Sequence, residues 1–293
     1  MKQTLTIQKG TIAAQTGMNV KRALRKAFLP NYLIVIIVAG AMVLPFIWMV
    51  LTSFKVSGEI LALPPLFFPK IWTLKNFLNV FSQLDMAQLY WNTTYVTGIR
   101  CFTEIYLAAL LGYVFGKYHF KGRDLAFYFI LATMILPFEV YVIPLYRMMV
   151  GLKLGNNHLA LIIPMLYSAY ATFMMRQFMF TIPDELIDAA RIDGAGEMVI
   201  FHRIVIPLCK PILATLTGVY FMWNWNDFLW PLIVITDRKL QLLPVALASF
   251  VADHGIDYGL IMAGATLSVI PVLIVFFAFQ RYVVQGINLS GIK

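Results

Sequence analysis

An all-α, polytopic membrane protein with six transmembrane helices is the fold this sequence predicts, on three observations. Hydrophobic residues fill 60% of its 293 positions and charged residues only 13%. The mean hydropathy of +0.78 is far above what a soluble globular surface tolerates. Six long stretches carry almost no Asp, Glu, Lys or Arg, and an unpaired charge at the bilayer centre costs at least ~2.5 kcal/mol. At about 20 residues per span, six spans use roughly 120 residues, and no connector is long enough for a separate soluble catalytic domain. Any ATPase would need another chain.

The spans follow in order. Residues 27–54 contain no charge and place a first span near 29–51, too long for the apolar region of a cleaved signal peptide. Residues 86–116 hold only Arg100 and Glu104, giving a span near 89–114; residues 125–146 hold only Glu139, giving one near 125–147. The stretch 154–175 is charge-free and places a span near 158–176. Residues 211–236 hold only Asp227 and place one near 208–235. The charge-free run 258–280 gives the last, near 258–281.

Charge placement sets the expected orientation. Lys2, Lys9, Lys21, Arg22, Arg25 and Lys26 precede the first apolar run without a single acidic residue, so residues 1–28 read as a basic cytoplasmic tail. If that tail is inside, the inside segments carry 15 of the 23 Lys and Arg and the outside connectors 7. The bias predicts both termini, including a tail at 283–293, on the cytoplasmic face of a multi-pass membrane protein. The net charge of +9 is explained by this placement and not by nucleic-acid binding. Residues 52–88, with Pro64, Pro65, Pro69 and Trp72, form an outer elaboration too short for a domain.

Metal and nucleophile chemistry finds no support. Cys101 and Cys209 lie in or beside apolar segments without the spacing of a metal site or disulfide framework. His119, His158, His202 and His254 are scattered over four connectors or span ends. No G-x-x-x-x-G-K-[ST], H-E-x-x-H or G-x-S-x-G pattern occurs. The sequence thus points to a chain that binds no cofactor and is not an enzyme.

The connector between the fourth and fifth spans is the most informative segment. Thr181 with Asp184 three residues later fits a capping box, Pro183 is tolerated in a first turn, and Asp184 and Glu185 suit the positive end of a helix. In that helix Leu186, Ala189 and Ala190 share a face at i, i+3 and i+4, while Asp188 and Arg191 point elsewhere. Gly194 suits a helix-ending turn, and Met198, Phe201 and Ile204 resume helical spacing before Pro207 and Pro211.

Asp188-Ala-Ala, Asp193-Gly-Ala, Phe201, Ile204, Pro207 and Pro211 together resemble the EAA loop in permease subunits of bacterial binding-protein-dependent ABC importers. Trp72-Thr-Leu-Lys-Asn-Phe, Pro144-Leu-Tyr, Trp225-Asn-Asp-Phe-Leu-Trp-Pro and Phe279-Gln-Arg-Tyr-Val-Val-Gln-Gly extend the likeness, to the maltose-type second permease of carbohydrate importers. That resemblance implies a type I ABC importer permease-like fold. It also implies a second homologous permease, two ATP-binding cassette ATPase subunits that use ATP and Mg, an extracytoplasmic solute-binding protein, and a sugar substrate. The coupling loop would span 181–207, with Asp188, Ala189, Ala190, Arg191, Asp193, Gly194 and Ala195 at the ATPase. Asp188 stands where the family usually carries Glu, which keeps the charge and shortens the side chain by one methylene. The tail from Gln285 to Lys293 either reaches the ATPase, as related tails do, or frays.

Polar residues inside the spans are functional-site candidates. Arg100 and Glu104, four apart, are expected to neutralise each other on one helix face. Glu139 follows Pro137, which can bend the third span, and serves either a gate or a structural hydrogen bond. Trp223, Asn226, Asp227 and Trp230 share a helical face, with Asn224 and Trp225 pointing away. Aromatic faces and hydrogen-bonding groups together suit a sugar, so this set lines a translocation path or, alternatively, packs helices beneath an interfacial aromatic belt. Gly255, Gly259 and Gly264 suit tight packing of the sixth span. An ion-coupled secondary transporter is the alternative function; a membrane-embedded enzyme would need catalytic groups that the spacing does not bring together.

Overall fold

The computed structural model describes residues 32–254 and 257–290, with side chains at 32–250 and 257–281. The basic tail, residues 29–31 of the first span, Gly255 and residues 291–293 lie outside the described residues. Among those described there is no strand. The helices are α1 (Tyr32–Ser53), α2 (Ser57–Ile60), α3 (Lys75–Gln83), α4 (Met86–Lys117), α5 (Arg123–Ala132), α6 (Phe138–Gly151), α7 (His158–Ile162), α8 (Ala169–Met179), α9 (Asp184–Ile192), α10 (Glu197–Ile200), α11 (Ile206–Leu208), α12 (Lys210–Trp225), α13 (Leu229–Val234), α14 (Leu243–His254) and α15 (Tyr258–Ser290).

Four helical stretches are each long and apolar enough to cross a membrane: α1, α4, the run from α7 through α8, and α15. Two bent pairs bring the number to the expected six. One joins Arg123–Ile135 to Phe138–Gly151 at 100°, the other Glu197–Leu208 to Lys210–Val234 at 78°. Pro137 accounts for the first bend. It removes a backbone donor and pushes Leu136 out of helical geometry, to φ −80° and ψ 112°. Ahead of the second bend, residues 201–205 widen into a π turn just before Pro207, which has no N–H to continue the α ladder.

The bundle is organised around α4, whose most extensive partner is α8. Gly112 and Gly116 explain the closeness: a Cβ at Gly112 would sit 2.6 Å from Met175 Cβ, and one at Gly116 2.7 Å from Met179 Cβ. Small residues four apart let two backbones approach where lipid offers no hydrophobic drive to associate. The sixth span shows the small-residue packing expected of it, with Gly259 against Asn76 and Gly264 against Leu247.

Three buried clusters result. One runs from Cys101 to Tyr113 on α4 across Met175 and Met179 to Ile187, Phe201 and Val205. A second gathers Val96, Met149, Leu161, Trp230 and Leu242, and a third Val80, Leu89, Trp225, Phe250 and Leu260. The connector at 52–88 is tied down by polar contacts. Asn76 Nδ2 donates to Ser53 O at 2.9 Å and Lys55 O at 2.8 Å, and buried Lys55 donates to Leu66 O at 2.6 Å. In contrast, α1 leaves its apolar surface uncovered.

Gly112→Val should overpack the α4–α8 contact and destabilise the protein by about 1–3 kcal/mol. A thermal melt of the detergent-solubilised protein reads this as a lowered midpoint. Gly98→Val is the control, since nothing lies within 4 Å of its added Cβ; equal melts for the two variants would refute the packing role.

Candidate functional site

Two features are built from the residues singled out above. The first is the 181–207 loop. Its helix α9 starts after Pro183, and the expected Thr181 cap does not form: the Thr181 hydroxyl donates back to Phe178 O at 2.7 Å. Pro183 occupies the capping position with extended backbone and has no side chain to cap with. Asp184 instead accepts from Lys117 Nζ at the end of α4 at 2.6 Å, and the same ammonium reaches Ile182 O at 2.5 Å. Lys117 holds the Asp184 carboxyl below the usual carboxylate range.

The helix ends as Gly194 predicts. Gly194 has φ 81°; its N–H donates to Arg191 O at 3.0 Å, and Ala195 N–H donates to Ala190 O at 2.9 Å. These two bonds form a Schellman motif, which needs a residue tolerant of left-handed backbone. The face turned to the bundle is Ile187 and Ala190; of the three residues read as sharing a face, Leu186 and Ala189 stay exposed and Ala190 packs on the core. Leu186 is 46% exposed and Ile192 86%, with Ala189 exposed between them. In the following segment Phe201 and Val205 are buried, together with Ile200, while Met198 is 56% exposed.

One polar cluster fixes this loop to α4. Glu197 accepts from Arg191 Nε at 2.7 Å, from the Tyr113 hydroxyl at 3.0 Å and, closely, from the Tyr118 hydroxyl. Arg191 also donates to Asp188 at 3.1 Å and lies over the Tyr118 ring. Its guanidinium is thus held within the loop, and the shortened carboxylate of Asp188 has an i,i+3 partner. Arg191, then Tyr118, hold the Glu197 carboxyl down to about 2, against the cost of its partial burial. Burial first, and then the bond to Glu197, push the Tyr118 hydroxyl up. Sequence reading missed Glu197; the signal was an acidic residue just past the loop glycine with two tyrosines at the end of the second span.

The second feature is a cavity of about 260 Å³ within the bundle. Arg100, Glu104, Asn224 and Asp227 supply its polar wall; Tyr220, Trp223 and Trp230 supply aromatic surface, beside Phe138 and Met165. Arg100 and Glu104 do not pair with each other as expected. Arg100 Nη1 donates to Asp227 at 2.7 Å, and Glu104 accepts from Asn224 Nδ2 at 2.6 Å. Both bonds cross from α4, one to the last turn of α12 and one to the segment just beyond it. Arg100 and Glu104 are one helical turn apart on α4.

The expected single face in the fifth span is corrected as well. The helix stops at Trp225, and residues 226–228 interrupt it before α13. Asn224 therefore lines the cavity, whereas exposed Asn226 bonds back to Met222 O at 2.8 Å. Trp225 does point away, into the third cluster, with its indole N–H on Ser268 O at 3.1 Å. Trp230 both lines the cavity and donates to Ala160 O at 3.0 Å; Trp223 is 56% exposed. Glu139 sits exposed in the first turn of α6, and its neighbour Phe138 reaches the cavity instead. Among the described residues no group of three His, Cys, Asp or Glu could hold a metal ion.

Comparison with known proteins places these features in context. The family model described as "Binding-protein-dependent transport system inner membrane component" matches residues 108–289. The arabinooligosaccharides transport system permease protein AraQ of Halalkalibacterium halodurans is 34% identical over 262 residues, covering 87% of this chain and 93% of AraQ. The lactose transport system permease protein LacG of Rhizobium radiobacter is 33% identical over 263 residues, covering 90% and 95%. Among solved structures, a bacterial ABC transporter involved in the import of the acidic polysaccharide alginate has a chain with the same fold. Its TM-score is 0.80 at 24% identity, over 88% of this chain and 96% of that one.

Because the Glu197 carboxyl is depressed in the folded protein, its contribution to loop order is present above the unfolded value of about 4.3 and fades as pH falls through about 2. Amide hydrogen exchange over 184–195 should therefore be unchanged between pH 7 and 5 after correction for intrinsic rates. Glu197→Ala at pH 7 should speed it several-fold; unaltered exchange in that variant would show that the cluster does not order the loop.

Proposed function

The chain belongs to the binding-protein-dependent transport system inner membrane component family, and we propose that it forms half of a sugar translocation pathway driven by separate ATPase subunits. It is a multi-pass permease, not the self-sufficient secondary transporter weighed as the alternative. The assembly we infer contains a second homologous permease, two ATP-binding cassette ATPases that use ATP and Mg, and an extracytoplasmic solute-binding protein. Both termini and the 181–207 loop would face the cytoplasm, as the positive-inside bias requires.

The observation that carries this reading is the two-sidedness of the loop helix. Ile187 and Ala190 join the bundle core, and the Arg191–Glu197–Tyr118 and Lys117–Asp184 contacts pin the loop to α4. On the other side Leu186, Ala189 and Ile192 present an exposed apolar surface beside Asp188 and Asp193. Exposed apolar residues with a polar rim on a rigid support suit a protein partner. An ATPase seated there would pass its closure to the membrane helices as a rigid-body displacement. Gly194 and Ala195 complete the turn that fixes this face, and Arg191 acts through position, not contact.

The sugar reading rests on the arabinooligosaccharide and lactose transport named for AraQ and LacG, and on a cavity wall that combines aromatic rings with hydroxyl-binding groups. Exposed Trp223 can pack on a sugar's C–H face while Asp227 meets its hydroxyls, with buried Trp230 and Asn224 backing the wall. Glu139 and Asn226 do not line the cavity.

Ala189→Arg places a long cation on the exposed face without touching the core. In the reconstituted transporter it should cut both substrate-stimulated ATP hydrolysis and oligosaccharide uptake by at least about tenfold, the scale of an interface hot spot. The melting midpoint of the chain should stay unchanged. Full uptake by this variant would remove the loop from coupling.

A further inference from the structure

The relatives leave open whether the cargo is neutral or anionic, since AraQ and LacG are named for neutral saccharides and the structural neighbour imports an acidic polysaccharide. The charge layout of the cavity addresses that question. Among the described residues lining it, Arg100 is the one cation, and its guanidinium is committed to Asp227 at 2.7 Å. A second carboxylate, Glu104, stands one turn away and is held by the neutral amide of Asn224. With both carboxylates ionised the wall carries one net negative charge, and with one protonated it carries none. In neither state is there a surplus cation for an incoming carboxylate or phosphate.

Backbone dipoles add to the same bias. Helix α12 directs its C-terminal end, which carries partial negative charge, at the cavity through Asn224. The feature that would favour an anion is the N-terminal end of α6 at Phe138, and Glu139 already occupies its first turn. Hydrogen-bonding capacity for a neutral ligand remains nonetheless. The Asp227 side chain is 19% exposed, so its carboxylate can accept from a sugar hydroxyl without releasing Arg100. Trp223 is exposed and lines the same space beside Tyr220, a surface for apolar ring faces.

We propose that this cavity is a subsite for neutral saccharides and that the Asp227 and Glu104 carboxylates make it reject uronate-bearing or phosphorylated ones. The proposal rests on the reading of the cavity as part of the transport path. Asp227 has two tasks here: it neutralises Arg100 for the membrane, and it occupies the guanidinium face that an anionic substrate would need.

The test is saturation-transfer NMR on the assembled transporter in lipid nanodiscs. The neutral probes are lactose and arabinobiose; the anionic probe is the lactose analogue whose galactose C6 is a carboxylate. The wild-type protein should transfer saturation to a neutral probe, lose that transfer in Trp223→Ala, and give at least about tenfold weaker binding of the carboxylate analogue, equal to ~1.4 kcal/mol. Asp227→Asn should raise binding of the carboxylate analogue at least about tenfold by freeing Arg100. Glu104→Gln leaves the ion pair intact, guards against misfolding of the first variant, and should shift the preference in the same direction by about threefold. Equal wild-type binding of lactose and its carboxylate analogue would overturn the proposal, as would no gain in either charge variant. Failure of every probe to bind would also overturn it, while the ATPase and uptake phenotype of Ala189→Arg would still decide the permease reading independently.

Discussion

The ion pair between Arg100 and Asp227 is the constraint on which the middle of the bundle depends. A guanidinium in the second span needs a counter-charge, because an isolated one at the bilayer centre costs at least ~2.5–3.5 kcal/mol. Glu104, four residues along the same helix, could have met that need. It is engaged by Asn224 instead, so Arg100 turns to a different helix and bonds Asp227. Two bonds one turn apart fix both the register and the rotation of α12 against α4. For Asp227 to face α4 the fifth span stops at Trp225 and restarts at Leu229. Its two buried indoles then diverge, Trp225 into one cluster and Trp230 into another.

Helix α4 carries that constraint to the far end of the molecule. At ~1.5 Å per residue its 32 residues span about 48 Å. Midway it holds the cavity's ionic wall, and toward its end Gly112 and Gly116 lock it to α8. At its last turn Lys117 grips Asp184, while Tyr113 and Tyr118 grip Glu197. A displacement of the loop that preserves these contacts displaces α4 with it, although α4 is not adjacent to the loop in sequence. The covalent route, through α8 and α12, runs beside it. Loop and cavity are therefore joined by one continuous rod as well as by the chain itself.

What was legible in the sequence is what depends on composition or on local backbone rules. Charge-free stretches located the spans because the penalty for charge in lipid is large and independent of neighbours. Pro137 and Gly194 announced a bend and a helix end because each restricts or frees its own backbone. The failures share a different cause. Arg100's partner lies 127 positions away, and a local i,i+4 rule has no access to it. The wheel drawn through Trp223, Asn226, Asp227 and Trp230 assumed an unbroken helix, whereas the chain leaves helical geometry at 226–228, where Asp227 meets Arg100. Local spacing also left open which of the adjacent apolar Leu186 and Ile187 the core takes; Tyr113, Phe201 and their neighbours decide it. Glu197 escaped notice because two of its partners, Tyr113 and Tyr118, lie about 80 residues earlier, and the third, Arg191, is six residues away, off the i,i+3 and i,i+4 spacings.

The same mutual saturation that makes the polar cluster tolerable in a membrane also suits it to passage over storage. On the proposed reading, a sugar entering the cavity would meet few unpaired groups: Arg100 is held by Asp227 and Glu104 by Asn224, and Tyr220 shares a hydrogen bond with Ser168. Each new bond to these groups is an exchange, and the net worth of an exchanged hydrogen bond is only about 0.5–1.5 kcal/mol. Binding assembled from such exchanges plus one exposed indole would be weak and quickly reversed. A path must bind its cargo well enough to admit it and weakly enough to release it. A wall of free donors and acceptors would fail on the second count, and it would also be unstable in lipid when empty. On that reading, the mutual saturation that lipid demands and the low affinity that passage demands would both follow from the same four side chains.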